Sequence, residues 1–120
     1  MNSQPRILLI DKANDRKERI KNLKSHGYSV FPALNMEEAR SRCLRGGYDL
    51  IVVNANGEHE SATQFCDDIR RQCPGQQLIL CSNAASDRDY AVESDVSSLI
   101  TAVDAALRPD AKQSDLASAA

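Results

Sequence analysis

Three four-residue runs in this chain contain nothing polar: ILLI at 7–10, LIVV at 50–53 and LILC at 78–81. A strand with one wet face alternates apolar and polar side chains, whereas a strand covered on both faces is apolar throughout. The three runs therefore read as central strands of a parallel sheet. Parallel neighbours cannot be joined by a tight hairpin; they need crossovers long enough to hold a helix, and the segments between the runs supply them.

The segment after the first run, ANDRKERIKNLKSHG, ends in Gly27, a helix stop signal. Its apolar stripe is thin, with Ile20 and Leu23 as the only large members, and DRKER within it reads as a solvated helix face. A second strand, YSVFPA at 28–33, contains Pro32, which places it at an edge or makes its end irregular. Asn35 with Glu38 caps a second helix whose apolar face is Met36, Ala39, Cys43 and Leu44, and Gly46-Gly47 stop it. Past the turn signal Asn56-Gly57, Ser61 and Gln64 read as the capping box of a third helix. Its Ala62, Phe65, Cys66, Ile69 and Cys73 keep helical spacing up to Pro74-Gly75. YAVES at 90–94 is a weak fifth strand. Asp95 caps a last helix carrying Val96, Leu99, Ile100, Val103 and Leu107 on one stripe. Residues 1–5 form a short lead, 6–107 one α/β domain, and 108–120, small and aperiodic, a disordered tail or linker stub.

A length of 120 residues is enough to bury one core without metals or disulfides. The formal charge of −2, the absence of Trp and the presence of only 2 Phe leave neither an electrostatic footprint nor stacking platforms for nucleic acid. No run approaches a membrane span, and the N-terminus lacks the apolar stretch of a signal peptide, so the expected location is the cytoplasm. Cys43, Cys66, Cys73 and Cys81 form no CxxC pair and lie near neither histidine in ligand spacing. They read as reduced core residues, and no metal or cofactor is expected. His26 and His59 read as solvated loop or helix-end residues.

In open parallel sheets, function collects outside the carboxyl ends of the strands. The residues presented there are Asp11 and Lys12, Asn54, Ser82 and Glu93. Together with ILLID, GYSV after the first helix, EEARSRCLRGGYDLIVVN and LILCS, this layout resembles the receiver domain of bacterial two-component response regulators over residues 6–107. The resemblance implies a flavodoxin-like fold, three layers and doubly wound, with a five-stranded parallel sheet in the order 2-1-3-4-5. It also implies a phosphorylation site: an acidic pair closing the first strand, an aspartate ending the third, a Ser or Thr ending the fourth, and on the fifth an aromatic followed three residues later by Lys. Matched to that pattern, Asp11 keeps the first acid and Lys12 replaces the second. Asn54 replaces the acceptor, Ser82 keeps the hydroxyl, Tyr90 keeps the aromatic, and Glu93 stands where the lysine would be.

Those replacements change the chemistry. Phosphotransfer needs a carboxylate nucleophile and a divalent cation, and magnesium needs hard anionic oxygens. An amide at position 54 is no nucleophile, Asp11 is left as one carboxylate beside Lys12, and Glu93 repels phosphate. The expectation is a receiver-like module, no enzyme, that is not phosphorylated at the usual site and acts by binding a protein. The competing expectation is a small-ligand or anion sensor using Lys12 and Ser82 in the vacated pocket. An ion pair between Lys12 and Glu93 would supply an internal cation in place of metal; otherwise both side chains point into water. Only NAASDRD, 83–89, separates Ser82 from Tyr90, too short for a crossover with a full helix. The family's fourth helix is therefore expected to be missing or replaced by a loop, unless the last strand runs antiparallel or frays. The sheet face so uncovered would suit a partner protein or self-association.

Overall fold

The computed structural model of the chain describes residues 4–82, 91–92 and 96–107. Its elements alternate as expected: β1 (Arg6–Ile10), α1 (Arg16–Ser25), β2 (Ser29–Ala33), α2 (Met36–Arg45), β3 (Leu50–Asn54), α3 (His59–Gln72), β4 (Leu78–Cys81), β5 (Ala91–Val92) and α4 (Val96–Leu107). The strands form one sheet in the order β2-β1-β3-β4-β5, with every neighbouring pair parallel. The short β5 is parallel to β4, so the antiparallel alternative is set aside. Four helices occur among the described residues. Residues 83–90, where the missing helix was expected, and Asp95 with its expected cap lie outside them, as do 1–3 and 108–120.

The pleat sorts the apolar runs between two cores. Leu8, Ile10, Ile51 and Val53 face Ala39, Cys43, Phe65, Cys66 and Ile69 of α2 and α3. Ile7, Leu9, Leu50 and Val52 face Leu23 of α1 and Leu99 and Val103 of α4. Both faces of the central strands are thus covered, which is why their sequences show no alternation. Cys43, Cys66 and Cys81 lie in these cores and Cys73 is half-buried.

Local signals explain most element ends. At the end of α1, Gly27 takes φ 92, its N–H donates to Lys24 O (3.0 Å), and the N–H of Tyr28 donates to Leu23 O (3.3 Å). That is the Schellman pattern, which a residue with a Cβ would strain. Pro32 sits on β2, the outermost strand, where its missing N–H costs no ladder bond. Asn35 Oδ1 accepts from the N–H of Glu38 at 2.8 Å, the expected cap of α2.

Two expectations fail. Helix α3 begins at His59, ahead of Ser61, and Gln64 donates to Asp68 (3.0 Å) instead of reaching back to a cap. Ser61 and Gln64 are interior helix residues, because the tight turn at 55–58 starts the helix two residues early. Leu44 is 62% exposed. It follows Cys43 around the helix, and the wide face assumed for α2 narrows to Ala39 and Cys43, with Met36 half-buried.

Candidate functional site

The order of strands reverses between β1 and β3, and the register there pairs Ile10 with Val53. The next residues along, Asp11 and Asn54, are consequently neighbours at the carboxyl edge, where α/β sheets place their ligands. Asn54 donates from Nδ2 to Asp11 Oδ1 at 3.1 Å. The N–H of Ala13 donates to the same oxygen at 2.9 Å, closing a local turn of the kind aspartate favours.

The other oxygen of Asp11 is taken by a residue the sequence reading assigned to solvent. Arg19, inside DRKER, is 5% exposed, and its Nε donates to Asp11 Oδ2 at 2.5 Å. Its Nη2 donates to Asp15 Oδ1 at 2.7 Å. Asp11 itself is only 2% exposed. Burial by itself disfavours the guanidinium charge, but the hydrogen bonds to Asp11 and Asp15 outweigh it and move the Arg19 pKa above its ordinary value. The same contact, with the guanidinium charge behind it, holds the Asp15 carboxyl below its ordinary value. The signal that could have found Arg19 is its position: one helical turn after Asp15, on the side of α1 that also carries Leu23.

Lys12 turns away from this cluster and pairs with Glu58 at 2.9 Å, with both side chains about half exposed. Glu58 is delivered by a turn in which Asn56 (φ 48) and Gly57 (φ 87) both adopt left-handed backbone, closed by the Glu58 N–H donating to Ala55 O at 2.8 Å. That backbone explains the Asn-Gly pair in the sequence. Glu93, the partner first considered for Lys12, lies outside the described residues, as does Tyr90. Ser82, buried at the end of β4, has its Oγ 2.9 Å from His59 Nδ1. His59 is a helix-end residue, as expected, opening α3, but it is not left to solvent: it bonds into the strand ends. A cavity of about 220 Å³ lies between these groups, lined among others by Asp11, Lys12, Asn35, Asn54, Glu58 and Ser61.

The strand ends do not suit a magnesium ion. The buried carboxylate has both oxygens engaged, Asn54 points its amide nitrogen at it, and the neighbouring side chain is a lysine. Among the described residues no three His, Cys, Asp or Glu side chains converge in a metal-holding group. No described helix is long and apolar enough to cross a membrane.

No protein-family model matches the chain, and no curated protein matches it. Solved structures do. A response regulator from Thermotoga maritima is 25% identical with a TM-score of 0.60, covering 70% of this chain and 71% of that one. The response regulator TrrA of Thermotoga maritima, solved in complex with Mg(2+)-BeF, is 24% identical with a TM-score of 0.74, covering 87% of this chain and all of that one. A complex of the histidine kinase ThkA with TrrA matches at 23% identity and a TM-score of 0.70, over 87% of this chain and 99% of the matched one. The parallel 2-1-3-4-5 sheet, the helices on both of its faces and these matches agree: the chain has the fold of a response-regulator receiver domain.

Proposed function

We propose that this chain is a receiver-like signalling module that is not phosphorylated at the end of its third strand and acts by binding another protein. The observation that carries the proposal is the state of Asp11 and Asn54. The first is committed to Arg19, and the second is an amide spending its nitrogen on the first. Neither is a free carboxylate that could attack a phosphoryl group. A carboxylate at position 54 would stand against that of Asp11, whereas an amide donates to it, so the neutral residue is the one that fits. Partner binding follows from what remains, a receiver scaffold without its reaction; TrrA, of like fold, was solved bound to a histidine kinase. Self-association is the second arrangement such a module could use.

The chain is proposed to be no enzyme. His59 and Ser82 stand at hydrogen-bond distance, as a base and a nucleophile would. The hydroxyl is buried, however, and no described carboxylate orients the imidazole, so the set is incomplete. An anion sensor is supported less well, since Lys12 is neutralised by Glu58 and Ser82 bonds to His59.

Incubation with acetyl phosphate and magnesium, read by intact mass, should leave the chain unmodified. A phosphoryl adduct on any carboxylate would overturn the proposal. A partner captured from the native cell should be recovered equally with and without acetyl phosphate; recovery that depends on it would count against the proposal as well.

A further inference from the structure

Adjacent nitrogens on one edge of the Arg19 guanidinium hold two different carboxylates, Asp11 through Nε and Asp15 through Nη2. A buried positive group bridging two carboxylate oxygens at the mouth of a parallel sheet does electrostatically what a bound divalent ion would do there. We propose that Arg19 is the resident cation of this site: it closes the place to metal in the native chain, and its removal uncovers a two-carboxylate site for a hard divalent cation such as magnesium or manganese.

Three observations support this. Charge comes first: Lys12 and Glu58 cancel each other, so among the described residues Arg19 is the positive group facing Asp11 and Asp15. Without it the two carboxylates repel each other, and a divalent ion between them restores balance. Geometry comes second. The planar fork of arginine reaches both acids at once, which the point charge of a lysine does not; Lys12, though adjacent to Asp11 in sequence, is turned away to Glu58. Ligand chemistry comes third. Asp11 and Asp15 offer the hard carboxylate oxygens such ions prefer, and these are the oxygens Arg19 now occupies. The proposal is independent of the signalling reading, because its readout is cation binding and involves no phosphoryl donor.

The test uses the intact chain and two variants, Arg19→Gln and Arg19→Lys. Each is followed by manganese broadening of backbone amide signals and by melting in EDTA and in magnesium. The wild type should melt at the same temperature in both, with the amides of residues 11–13 and 54 untouched by manganese. Arg19→Gln should bind manganese at those amides at least about tenfold more tightly than the wild type, from the loss of one positive charge at contact distance, and its melting temperature should rise with magnesium. Arg19→Lys, still cationic but unable to bridge both acids, should bind manganese more weakly than Arg19→Gln and more tightly than the wild type. If Arg19→Gln is unfolded in EDTA, magnesium should fold it; a chain that stays unfolded in saturating magnesium counts against the proposal. Manganese broadening of the same amides in the wild type at equal concentration would overturn it, and so would a folded Arg19→Gln without a cation response.

Discussion

Replacing Arg19 by methionine keeps most of the apolar stem and removes the guanidinium, so it isolates what the buried ion pair contributes. Removing one member of a buried pair typically costs about 3–5 kcal/mol, because the remaining charge is left uncompensated. Asp11 would retain two bonds, from Asn54 and from the Ala13 N–H. The loss is therefore expected near the lower end, about 3 kcal/mol, still a large share of the roughly 5–15 kcal/mol of a typical domain. Asp15 touches the same guanidinium but sits in water, with its side chain 64% exposed, so Asp15→Ala should cost only a small fraction of that. The double variant Asp11→Asn/Arg19→Met removes the stranded charge as well, and should be more stable than Arg19→Met alone. Urea denaturation read by circular dichroism, with shifts in midpoint at constant slope, measures all three. A loss below about 1 kcal/mol for Arg19→Met, or a double variant no more stable than the single, would refute the claim that Asp11 is a buried charge held by Arg19.

Other consequences are read more directly. Because Arg19 holds the Asp15 carboxyl below its ordinary 3.8, that contact stabilises the fold fully above the unfolded value and is lost as pH falls through the folded one. The stability difference between wild type and Asp15→Asn should be flat from pH 5 to 8, as a rough window, and shrink below about pH 4. Asn35→Ala should cost about 1 kcal/mol through the lost cap of α2, while Ser61→Ala, inside α3, should change stability by less than about 0.5 kcal/mol. Burial pushes the Cys66 thiol up to about 12 and the Cys43 thiol up to about 11, so iodoacetamide at pH 8 should modify half-buried Cys73 first and reach those two only on unfolding.

The sheet was legible because a run such as LIVV has no other comfortable place than the middle of a covered parallel sheet; the runs end with β1 and β4, and one residue short of the end of β3. Asp11 and Asn54 were legible for the same reason: a strand of known direction fixes which residue leaves its carboxyl end. Arg19 was not. A charged residue in a charged helix carries no local mark of burial, and only the packing of α1 against β2 and α4 brings it to Asp11. His59 was hidden by the early start of α3, which depends on the left-handed backbone of Asn56 and Gly57. Leu44 misled in the opposite direction, since helical spacing allows a wider apolar face than the sheet has room to cover.

The thin apolar stripe of α1 bears on what the buried Asp11 does for the fold. The helix buries Leu23 fully and Ile20 in part, and burial of such a side chain is worth at most about 1.5–3 kcal/mol. Losing Arg19 would leave Asp11 uncompensated at a cost of similar size, so the pair is a second tie between α1 and the end of β1. An anchor of this kind is local: losing it should free α1 before the rest of the fold. In Arg19→Met, amide hydrogen exchange should quicken across residues 16–25 by more than the global loss of stability accounts for, while α3, held by Ala62, Phe65, Cys66 and Ile69, should follow the global change alone. Equal acceleration in both helices would mean that the pair supports the whole sheet and does not anchor α1 in particular. On the anchoring account, Asp11 holds the helix beside it, and the amide of Asn54 suits that role because it donates to Asp11.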